Sequence, residues 1–346
     1  MLLEPSEVPG RLEAFLSKRW ADGAPVTVSG YEEITGGYSR YMARFSASNG
    51  SETTDLILRA DPAPGQSIID TDRTSEWNLV QAVTADGGVT APEGLWFDET
   101  GDEIGSQAII FEKIEGETLY VRTQTGDVAS HFHFNEPLAD LAASVHSVDI
   151  AALPDHMERP SSWSSYLDSH IARCVKAEGE HVESDPFMRL VASWLDANRP
   201  PEVPMTLVHG DLQAPNILIQ EGTGEFYLLD WELSRIGDPR EDIGYWAMAG
   251  KSQPPDIINA DPDSFYARYR ERTGLSEEMV NPATVAYFTV LGTLPVFKAV
   301  LEQTAGMSRQ RSGAMSVAYM TNAIPFMHGV FIDAMRTAGA WREEAK

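Results

Sequence analysis

Short apolar runs alternate with polar turns between residues 205 and 230. The runs cover residues 205–208, 217–219 and 226–229, and each is followed by a polar residue. Runs of this length, bounded by turn residues, are typical of buried β-strands. The segment therefore predicts a strand, a loop, a second strand, a hairpin turn and a third strand.

Other parts of the chain divide into a strand-rich beginning and a helical remainder. Residues 26–59 predict three strands, with Asn49-Gly50 as a hairpin signal, and residues 89–97 and 108–111 predict two more. Apolar spacing of three and four residues predicts helices elsewhere. The predicted helices cover residues 6–20, 71–85, 137–148, 163–177, 187–197 and several segments within 255–346.

Three oxygen-bearing side chains stand at the ends of the predicted strands: Asp211, Asn216 and Asp230. Polar residues in such positions are held rigidly beside a cleft. Phosphoryl transfer needs a carboxylate that orients or deprotonates an attacking hydroxyl, and oxygen ligands for Mg²⁺. In protein kinases the base and the Asn ligand are separated by the same five-residue step, and a later Asp supplies the second ligand.

The complete pattern is H-G-D-x-x-x-x-N, followed by D-W-E at 230–232 and G-D-P at 237–239. It closely resembles the aminoglycoside phosphotransferase-like (choline kinase-like) family of small-molecule kinases. The resemblance implies an α+β, two-lobe protein-kinase-like fold. An N-terminal lobe with an antiparallel sheet and one main helix is expected over residues 1–112, as the nucleotide-binding lobe. A larger, mostly helical catalytic and substrate-binding lobe is expected over 113–346, with a hinge near 111–116.

By the same resemblance, Asp211 is the catalytic residue that orients or deprotonates the acceptor hydroxyl. Asn216 and Asp230 are the expected ligands of Mg²⁺ on the β- and γ-phosphates of ATP, with GTP as the other possible donor. The acceptor is a small molecule with a hydroxyl group.

We next consider the roles of three further residues, Asp242, His146 and Glu232. Asp242 opens a predicted helix and is expected to brace the His209-Gly210-Asp211 loop through backbone N–H groups, a plain helix cap being the alternative. His146 is expected to be a packed structural residue. Glu232 receives no role, although it lies close in sequence to the expected metal ligand.

Gly36, Gly37 and Ser39 form a candidate phosphate-covering loop in the first predicted hairpin. Glycine allows backbone N–H groups to approach phosphate oxygens, and the Ser39 hydroxyl adds a donor. An ordinary hairpin turn is the alternative interpretation of this Gly-Gly pair.

Arg59 stands at the end of the third predicted strand, where a protein kinase carries Lys. The L-R-x-x-P pattern here is similar to that of one branch of the family, so Arg59 is expected to bind phosphates in place of Lys. Glu76, in the following helix, is expected to pair with it. The alternatives are a solvent-facing Arg59 and an exposed helical Glu76.

The segment 108–116 matches the family's hinge. Phe111 is expected to face the adenine pocket, while the C=O of Glu112 and the N–H of Ile114 would contact the edge of the base. An ordinary exit from a strand into a turn is the alternative.

Composition excludes some classes of partner. The 52 acidic and 26 basic residues give a formal charge of −26, which disfavours nucleic acid and anionic membranes as partners. The charge would attract cationic substrates such as aminoglycosides, but dispersed acidity serves solubility equally well.

Location is expected to be cytoplasmic. The single cysteine, Cys174, allows no intramolecular disulfide, and the first 20 residues lack a secretory pattern. The uncharged run 281–297 is short for a membrane span and predicts a buried helix. Nothing in the sequence indicates the oligomeric state.

The acceptor has no readable motif. The family includes antibiotic, choline-type and homoserine-type kinases and kinases of hydroxyacyl-CoA thioesters, and L-R-x-x-P with G-D-P is nearer to the last branch. A metabolic alcohol or a hydroxyacyl-CoA is therefore favoured over an aminoglycoside. A pseudokinase, binding nucleotide without turnover, is the rival interpretation, and a sugar- or lipid-binding module is a third.

Overall fold

The computed structural model describes residues 6–20, 24–34, 40–61, 72–180, 187–252, 256–308 and 314–344. The chain divides into two compact units. Unit 1 consists of Met1–Glu117, Ala151–Met157 and Leu218–Leu233, and unit 2 consists of Thr118–Ile150, Glu158–Ile217 and Ser234–Lys346. The expected lobe boundary at residue 112 stays a prediction.

Unit 1 is built on a five-stranded antiparallel sheet. Its strands are β1 (Thr27–Glu33), β2 (Tyr41–Ser48), β3 (Thr53–Ala60), β4 (Gly94–Asp98) and β5 (Ala108–Glu112), in the order β1-β2-β3-β5-β4. Asn49 forms the predicted β2–β3 turn by accepting hydrogen bonds from the backbone N–H groups of Ser51 and Glu52, at 3.0 and 2.9 Å. The three strands expected over residues 26–59 are therefore confirmed.

Two helices belong to this unit. The apolar side of α1 (Val8–Arg19) packs on the sheet through residues such as Phe15 and Leu16, in a core shared with Phe45 and Leu56. The second helix, α2 (Arg73–Asp86), begins at Asp72, which caps it by accepting a hydrogen bond from the N–H of Thr74 at 3.0 Å.

A small second sheet has the strand order β6-β8-β9. Its strands are β6 (Gly116–Thr118), β8 (Ile217–Gln220) and β9 (Phe226–Leu228). The β8–β9 hairpin ends at residue 228, and the one-turn 3₁₀ helix Trp231–Leu233 follows Asp230. This is the hairpin that the apolar runs predicted.

Unit 2 is mostly helical. Its helices are α3 (Leu119–Arg122), α4 (Asn135–His146), α5 (Trp163–Glu180), α6 (Phe187–Ala197), α7 (Arg240–Ser252), α8 (Ile257–Ala260), α9 (Pro262–Thr273), α10 (Pro282–Ser308) and α11 (Ala314–Glu344). Apolar residues of α5, α6, α10 and α11 form its main core. The predicted buried helix over 281–297 is confirmed, because Tyr287, Phe288 and Leu291 of α10 are completely buried.

A two-stranded antiparallel pair positions the catalytic candidate. Strand β7 (Thr206–Val208) pairs with β10 (Arg235–Gly237), with Val208 opposite Arg235. This pair was not expected from the sequence, because β10 is only three residues long and contains Arg and Gly. Among the described residues, no helix is both long and apolar enough to cross a membrane.

Candidate functional site

The loop after β7 holds the carboxylate of Asp211 in a fixed orientation. Its Oδ1 accepts a hydrogen bond from Gln213 Nε2 at 2.7 Å, and its Oδ2 accepts one from Asn216 Nδ2 at 2.7 Å. Asn216 lies in the one-turn 3₁₀ helix Ala214–Asn216, and its Nδ2 also donates to the backbone oxygen of Asp211 at 2.9 Å. Both donors of this amide are thus used on Asp211, while within the described residues its Oδ1 accepts no hydrogen bond.

Asp242, in the first turn of α7, braces this loop from the completely buried side. Its Oδ2 accepts a hydrogen bond from the N–H of His209 and its Oδ1 one from the N–H of Gly210, each at 2.8 Å. Gly210 has a φ of 84°, a backbone conformation that glycine adopts without steric cost. The expectation that Asp242 binds these backbone N–H groups is confirmed.

His146 completes the brace. Its Nε2 lies 3.0 Å from Asp242 Oδ2, and its Nδ1 lies 2.6 Å from the hydroxyl of Tyr269. Burial by itself would raise the pKa of Asp242, but hydrogen bonding and charge from His146, with the nearby His209 and Gly210 N–H, hold that pKa below its ordinary value. His146 is buried and held at both ring nitrogens, which confirms its expected structural role.

Asp238 of the Gly-Asp-Pro motif is also structural. Its carboxylate accepts a hydrogen bond from Trp163 Nε1 at 2.7 Å and forms an ion pair with Arg240 at 2.6 Å, and both charged side chains are completely buried. Arg240 further donates to the backbone oxygens of Met279 and Pro201. The motif therefore fixes the start of α7, and with it the position of Asp242.

In unit 1, Arg59 joins three carboxylates. Its guanidinium lies 2.7 Å from Glu76 Oε1, 2.5 Å from Asp230 Oδ1 and 3.1 Å from Glu232 Oε2. Arg59 and Glu76 are 6% and 2% exposed. The interpretations of Arg59 as solvent-facing and Glu76 as exposed are therefore wrong, and the expected pairing of the two side chains is present.

Four members of this cluster were missed in the sequence: Arg40, Asp61, Arg73 and Glu232. Glu232 Oε2 lies 2.7 Å from Arg40 Nε, and Arg73 contacts Glu76 and lies 2.9 Å from Asp61. Burial and the neighbouring charge of Arg59 lower the pKa of Arg73. The only sequence signal was the three-residue step from Arg73 to Glu76, which places both on one side of α2. Arg40 and Glu232 are 192 residues apart, and local patterns carry no information on such pairs.

Asp230 has an unusual backbone conformation. Its φ is 67°, and among the described residues it is the only one other than glycine with a positive φ. Such conformations cost roughly 1–3 kcal/mol and persist where the surrounding structure holds them, often at functional sites. The ion pair with Arg59 and the following 3₁₀ turn hold Asp230 in this position.

The hinge candidates lie where β5 ends. The N–H of Glu112 donates to the backbone oxygen of Glu93 at 3.1 Å, and the N–H of Lys113 donates to that of Asp55 at 3.1 Å. The next N–H, that of Ile114, has no partner within the described part of the chain. Phe111, Glu112 and Ile114 are all half-buried.

The remaining expectations concern the glycine loop and the metal. Gly36, Gly37 and Ser39 lie outside the described residues. Within the described residues, no group of three or more His, Cys, Asp or Glu side chains is arranged to hold a metal ion. Mg²⁺ needs no such group, because it is usually bound by one or two protein oxygens together with phosphates and water. The oxygen-bearing side chains of Asn216 and Asp230 fit that donor set.

Comparison with known proteins identifies the family. The model of the phosphotransferase enzyme family (APH) matches residues 30–280. The probable acyl-CoA dehydrogenase IBR3 of Arabidopsis thaliana is 27% identical over 278 residues, covering 75% of this chain and 32% of that protein. Acyl-CoA dehydrogenase family member 10 of Mus musculus is 26% identical over 201 residues, covering 56% of this chain and 18% of that protein. The chain thus spans only about a fifth to a third of the length of these relatives.

Solved structures establish the fold. A candidate aminoglycoside phosphotransferase of Ralstonia eutropha superposes with a TM-score of 0.71 at 20% identity, covering 94% of this chain and 98% of that one. A choline/ethanolamine kinase family protein of Mesorhizobium loti gives 0.61 at 16% identity, covering 95% and 98%. The GDP complex of aminoglycoside 2'-phosphotransferase-IIIa gives 0.60 at 13% identity, covering 94% and 99%. The predicted α+β, protein-kinase-like fold is confirmed, and the match over residues 30–280 shows that the chain belongs to the phosphotransferase enzyme family.

Proposed function

We propose that this chain catalyses Mg²⁺-assisted transfer of the γ-phosphoryl group of ATP or GTP to a hydroxyl group of a small molecule. The observation that carries the proposal is the fixed carboxylate of Asp211, whose two oxygens accept hydrogen bonds from the side-chain amides of Gln213 and Asn216, each at 2.7 Å. The loop that carries Asp211 is itself braced by the buried side chain of Asp242. Phosphoryl transfer depends mainly on positioning and on stabilising charge. A rigid carboxylate of this kind can orient an acceptor hydroxyl and accept its proton.

Asn216 and Asp230 are the proposed protein ligands of Mg²⁺. Asn216 fits because its amide group donates to Asp211 and leaves Oδ1 as the available ligand atom. Asp230 fits because its carboxylate remains 27% exposed. When bound, Mg²⁺ would neutralise charge on the β- and γ-phosphates.

Arg59 is the proposed phosphate-binding cation. Glu76 orients its guanidinium from the buried side, and a guanidinium presents a planar set of donors that matches phosphate oxygens. The N–H of Ile114, which has no partner among the described residues, is the proposed donor to the edge of the nucleotide base. The GDP complex of a structural neighbour supports a nucleotide as the phosphoryl donor.

The favoured acceptor is a metabolic alcohol or a hydroxyacyl-CoA thioester. Two sequence relatives are named as acyl-CoA dehydrogenases, which supports this choice although the chain covers a third of their length or less. The alternative acceptor is an aminoglycoside, which the formal charge of −26 would attract.

An acceptor panel tests the function. The chain with Mg²⁺ and ATP or GTP is incubated with 3-hydroxyacyl-CoA thioesters, simple alcohols, choline and aminoglycosides, and products are followed by ³¹P NMR and mass spectrometry. The expected result is a phosphate monoester formed with one acceptor class, with stoichiometric nucleoside diphosphate. Absence of both nucleotide binding and phosphate ester with every class would refute the proposal.

Replacing Arg59 with Ala is expected to raise the KM for nucleotide by about tenfold or more, because a charge-assisted hydrogen bond contributes about 1.5–3 kcal/mol. Arg44→Ala is the matched control, since Arg44 lies in the same sheet but its side chain is 53% exposed. Steady-state kinetics over a range of nucleotide concentrations make the comparison. Equal KM values for the two variants would remove Arg59 from the nucleotide site.

A nucleotide-binding regulator without turnover is the second candidate. The contact in its favour is the ion pair of Arg59 with Asp230, at 2.5 Å. In this pair the guanidinium of Arg59 occupies a carboxylate that is proposed to bind Mg²⁺. Calorimetry and the acceptor panel together distinguish the two candidates. Binding of Mg-ATP without any acceptor-stimulated turnover would support the regulator.

A further inference from the structure

A cavity of about 360 Å³ lies in unit 2 among α7, α8, α9, α10 and α11. Small apolar side chains line it together with the polar residues Lys251, Asp256, Asn259, Tyr266, Thr289 and Thr337. Pockets for small ligands measure roughly 300–1,000 Å³ and combine apolar walls with a few polar groups. The cavity therefore has the size and lining of a small-molecule site.

The cavity is separate from the proposed catalytic loop. Helix α7 carries Asp242, which braces that loop, in its first turn, and Lys251, which lines the cavity, near its end. An α-helix rises about 1.5 Å per residue, so these residues lie about 13 Å apart along the helix. A ligand here would occupy a second site in unit 2.

Tyr266 supplies an unused polar group. Its side chain lines the cavity and the residue is only 5% exposed, yet its hydroxyl forms no hydrogen bond to any described part of the chain. The hydroxyl oxygen is not among the fully buried unpaired polar atoms of the described residues, so it is open to the cavity. This oxygen is therefore available to a bound molecule.

Asp256 supplies the charge. Its carboxylate accepts hydrogen bonds from Asn259 N at 3.2 Å and Asn259 Nδ2 at 2.7 Å, but no cation pairs with it within the described residues. Lys251, the cation on the same wall, instead pairs with Asp333 at 3.1 Å. Lys251, Asp256 and Asp333 together carry a net charge of −1. Burial raises the pKa of Asp256, although the hydrogen bonds from Asn259 and the nearby charge of Lys251 act in the opposite direction.

The absence of a side chain at Gly250 leaves room for the carboxylate of Asp256 on the cavity wall. A Cβ atom at position 250 would lie 2.5 Å from Asp256 Oδ1. A side chain at position 250 would therefore displace the carboxylate. The close contact fixes one acceptor on the cavity wall, which Tyr266 also lines.

We propose that this cavity binds a small organic ammonium ion. The ammonium group would donate hydrogen bonds to the carboxylate of Asp256 and the hydroxyl oxygen of Tyr266, while its alkyl part packs on wall residues such as Val285. A carboxylate with an ammonium partner forms the stronger, charge-assisted type of hydrogen bond. An anion would be repelled by Asp256, and a neutral alcohol would leave its charge uncompensated.

Binding of n-butylammonium, butan-1-ol and butanoate to the full chain without nucleotide tests the proposal. Isothermal titration calorimetry and ligand-observed NMR are expected to show saturable binding of n-butylammonium in the millimolar range, at least tenfold tighter than binding of the other two probes. Equal binding of the three probes, or no saturable binding of n-butylammonium, would overturn the site. Because nucleotide is absent, the result is independent of the proposed phosphoryl transfer.

Two variants and a control locate the site. Asp256→Asn is expected to weaken n-butylammonium binding at least tenfold, and Tyr266→Phe several-fold. Asp196→Asn is the control, because it removes the same charge from a side chain that is 68% exposed and does not line the cavity. Equal weakening by Asp196→Asn and Asp256→Asn would show a general effect of net charge and contradict the site. Tyr266→Phe keeps the ring packed, so it tests the proposal even if Asp256→Asn, which alters the cap of α8, fails to fold.

Discussion

Replacing Asp211 with Asn is expected to lower kcat by about 10²–10⁴-fold, the usual contribution of a positioned general base. An amide cannot accept the hydroxyl proton, and it cannot accept both hydrogen bonds that Gln213 and Asn216 now donate. Both donors lie in the same loop, which Asp242 fixes independently through two backbone N–H groups. The fold and nucleotide binding are therefore expected to survive the substitution.

Single-turnover kinetics with the acceptor found in the panel measure the effect, and calorimetry with Mg-ATP checks that the nucleotide still binds. Asp196→Asn is the control, because Asp196 lies on the surface of the same unit with a 68% exposed side chain. If Asp211→Asn turned over at the rate of the control, Asp211 would not be the residue that orients the acceptor.

The candidate reaction residues were readable from the sequence because the motif is local. Asp211 and Asn216 are five residues apart, and one short loop brings their side chains within 2.7 Å. The brace from Asp242 was not readable from spacing alone, because an acidic residue in the first turn of a helix is equally expected to cap that helix. Local spacing therefore supplied the proposed catalytic loop, whereas the structure shows that Asp242 binds the backbone N–H groups of His209 and Gly210.

The arginine cluster of unit 1 could not be predicted in the same way. Arg40 and Glu232 form a buried ion pair across 192 residues, and only the fold brings them together. Glu232 also contacts Arg59. Its position close to Asp230 in the sequence did not indicate that its carboxylate would bind arginine side chains. Polar groups buried in pairs depend on tertiary structure, whereas strands and helices follow from local periodicity.

The acceptor was unreadable for a related reason. The helices of unit 2 are rich in apolar, aromatic and Met residues, and most of these pack into its core. The polar groups of the second cavity, such as Tyr266 and Asp256, are likewise single residues with no motif, although that cavity is separate from the proposed acceptor site. Only the hydrogen bonds in the folded structure tell whether their polar atoms are available to a ligand.

Replacing Asp242 with Asn is expected to lower the free energy of unfolding by about 3–5 kcal/mol, as found when one partner of a buried charged pair is removed. Its carboxylate accepts from the N–H groups of His209 and Gly210 and from His146, and a single amide oxygen cannot replace both carboxylate oxygens. Because the same loop carries Asp211, kcat is also expected to fall, by about 10²-fold for a displacement near 1 Å.

The free energy of unfolding is expected to depend on pH in a definite direction, because the pKa of Asp242 is shifted in the folded chain. The pKa of Asp242 is lower in the folded chain than its ordinary value of 3.8, so the folded state favours the ionised carboxylate. Its stabilisation is fully present above the unfolded pKa and is lost as the pH falls through the lower folded pKa. The stability difference between the parent chain and Asp242→Asn should therefore be largest near neutral pH and shrink below about pH 4.

Urea unfolding at several pH values from neutral to strongly acidic measures this difference. Asp168→Asn is the control, because the Asp168 side chain is 59% exposed and pairs with Arg199 at the surface. That control is expected to stay within about 1 kcal/mol of the parent chain at every pH, as exposed ion pairs contribute little. A difference for Asp242→Asn that did not change with pH would mean that the brace acts without the charge of the carboxylate. The loop would then be held by hydrogen bonds that do not depend on the charge, together with packing.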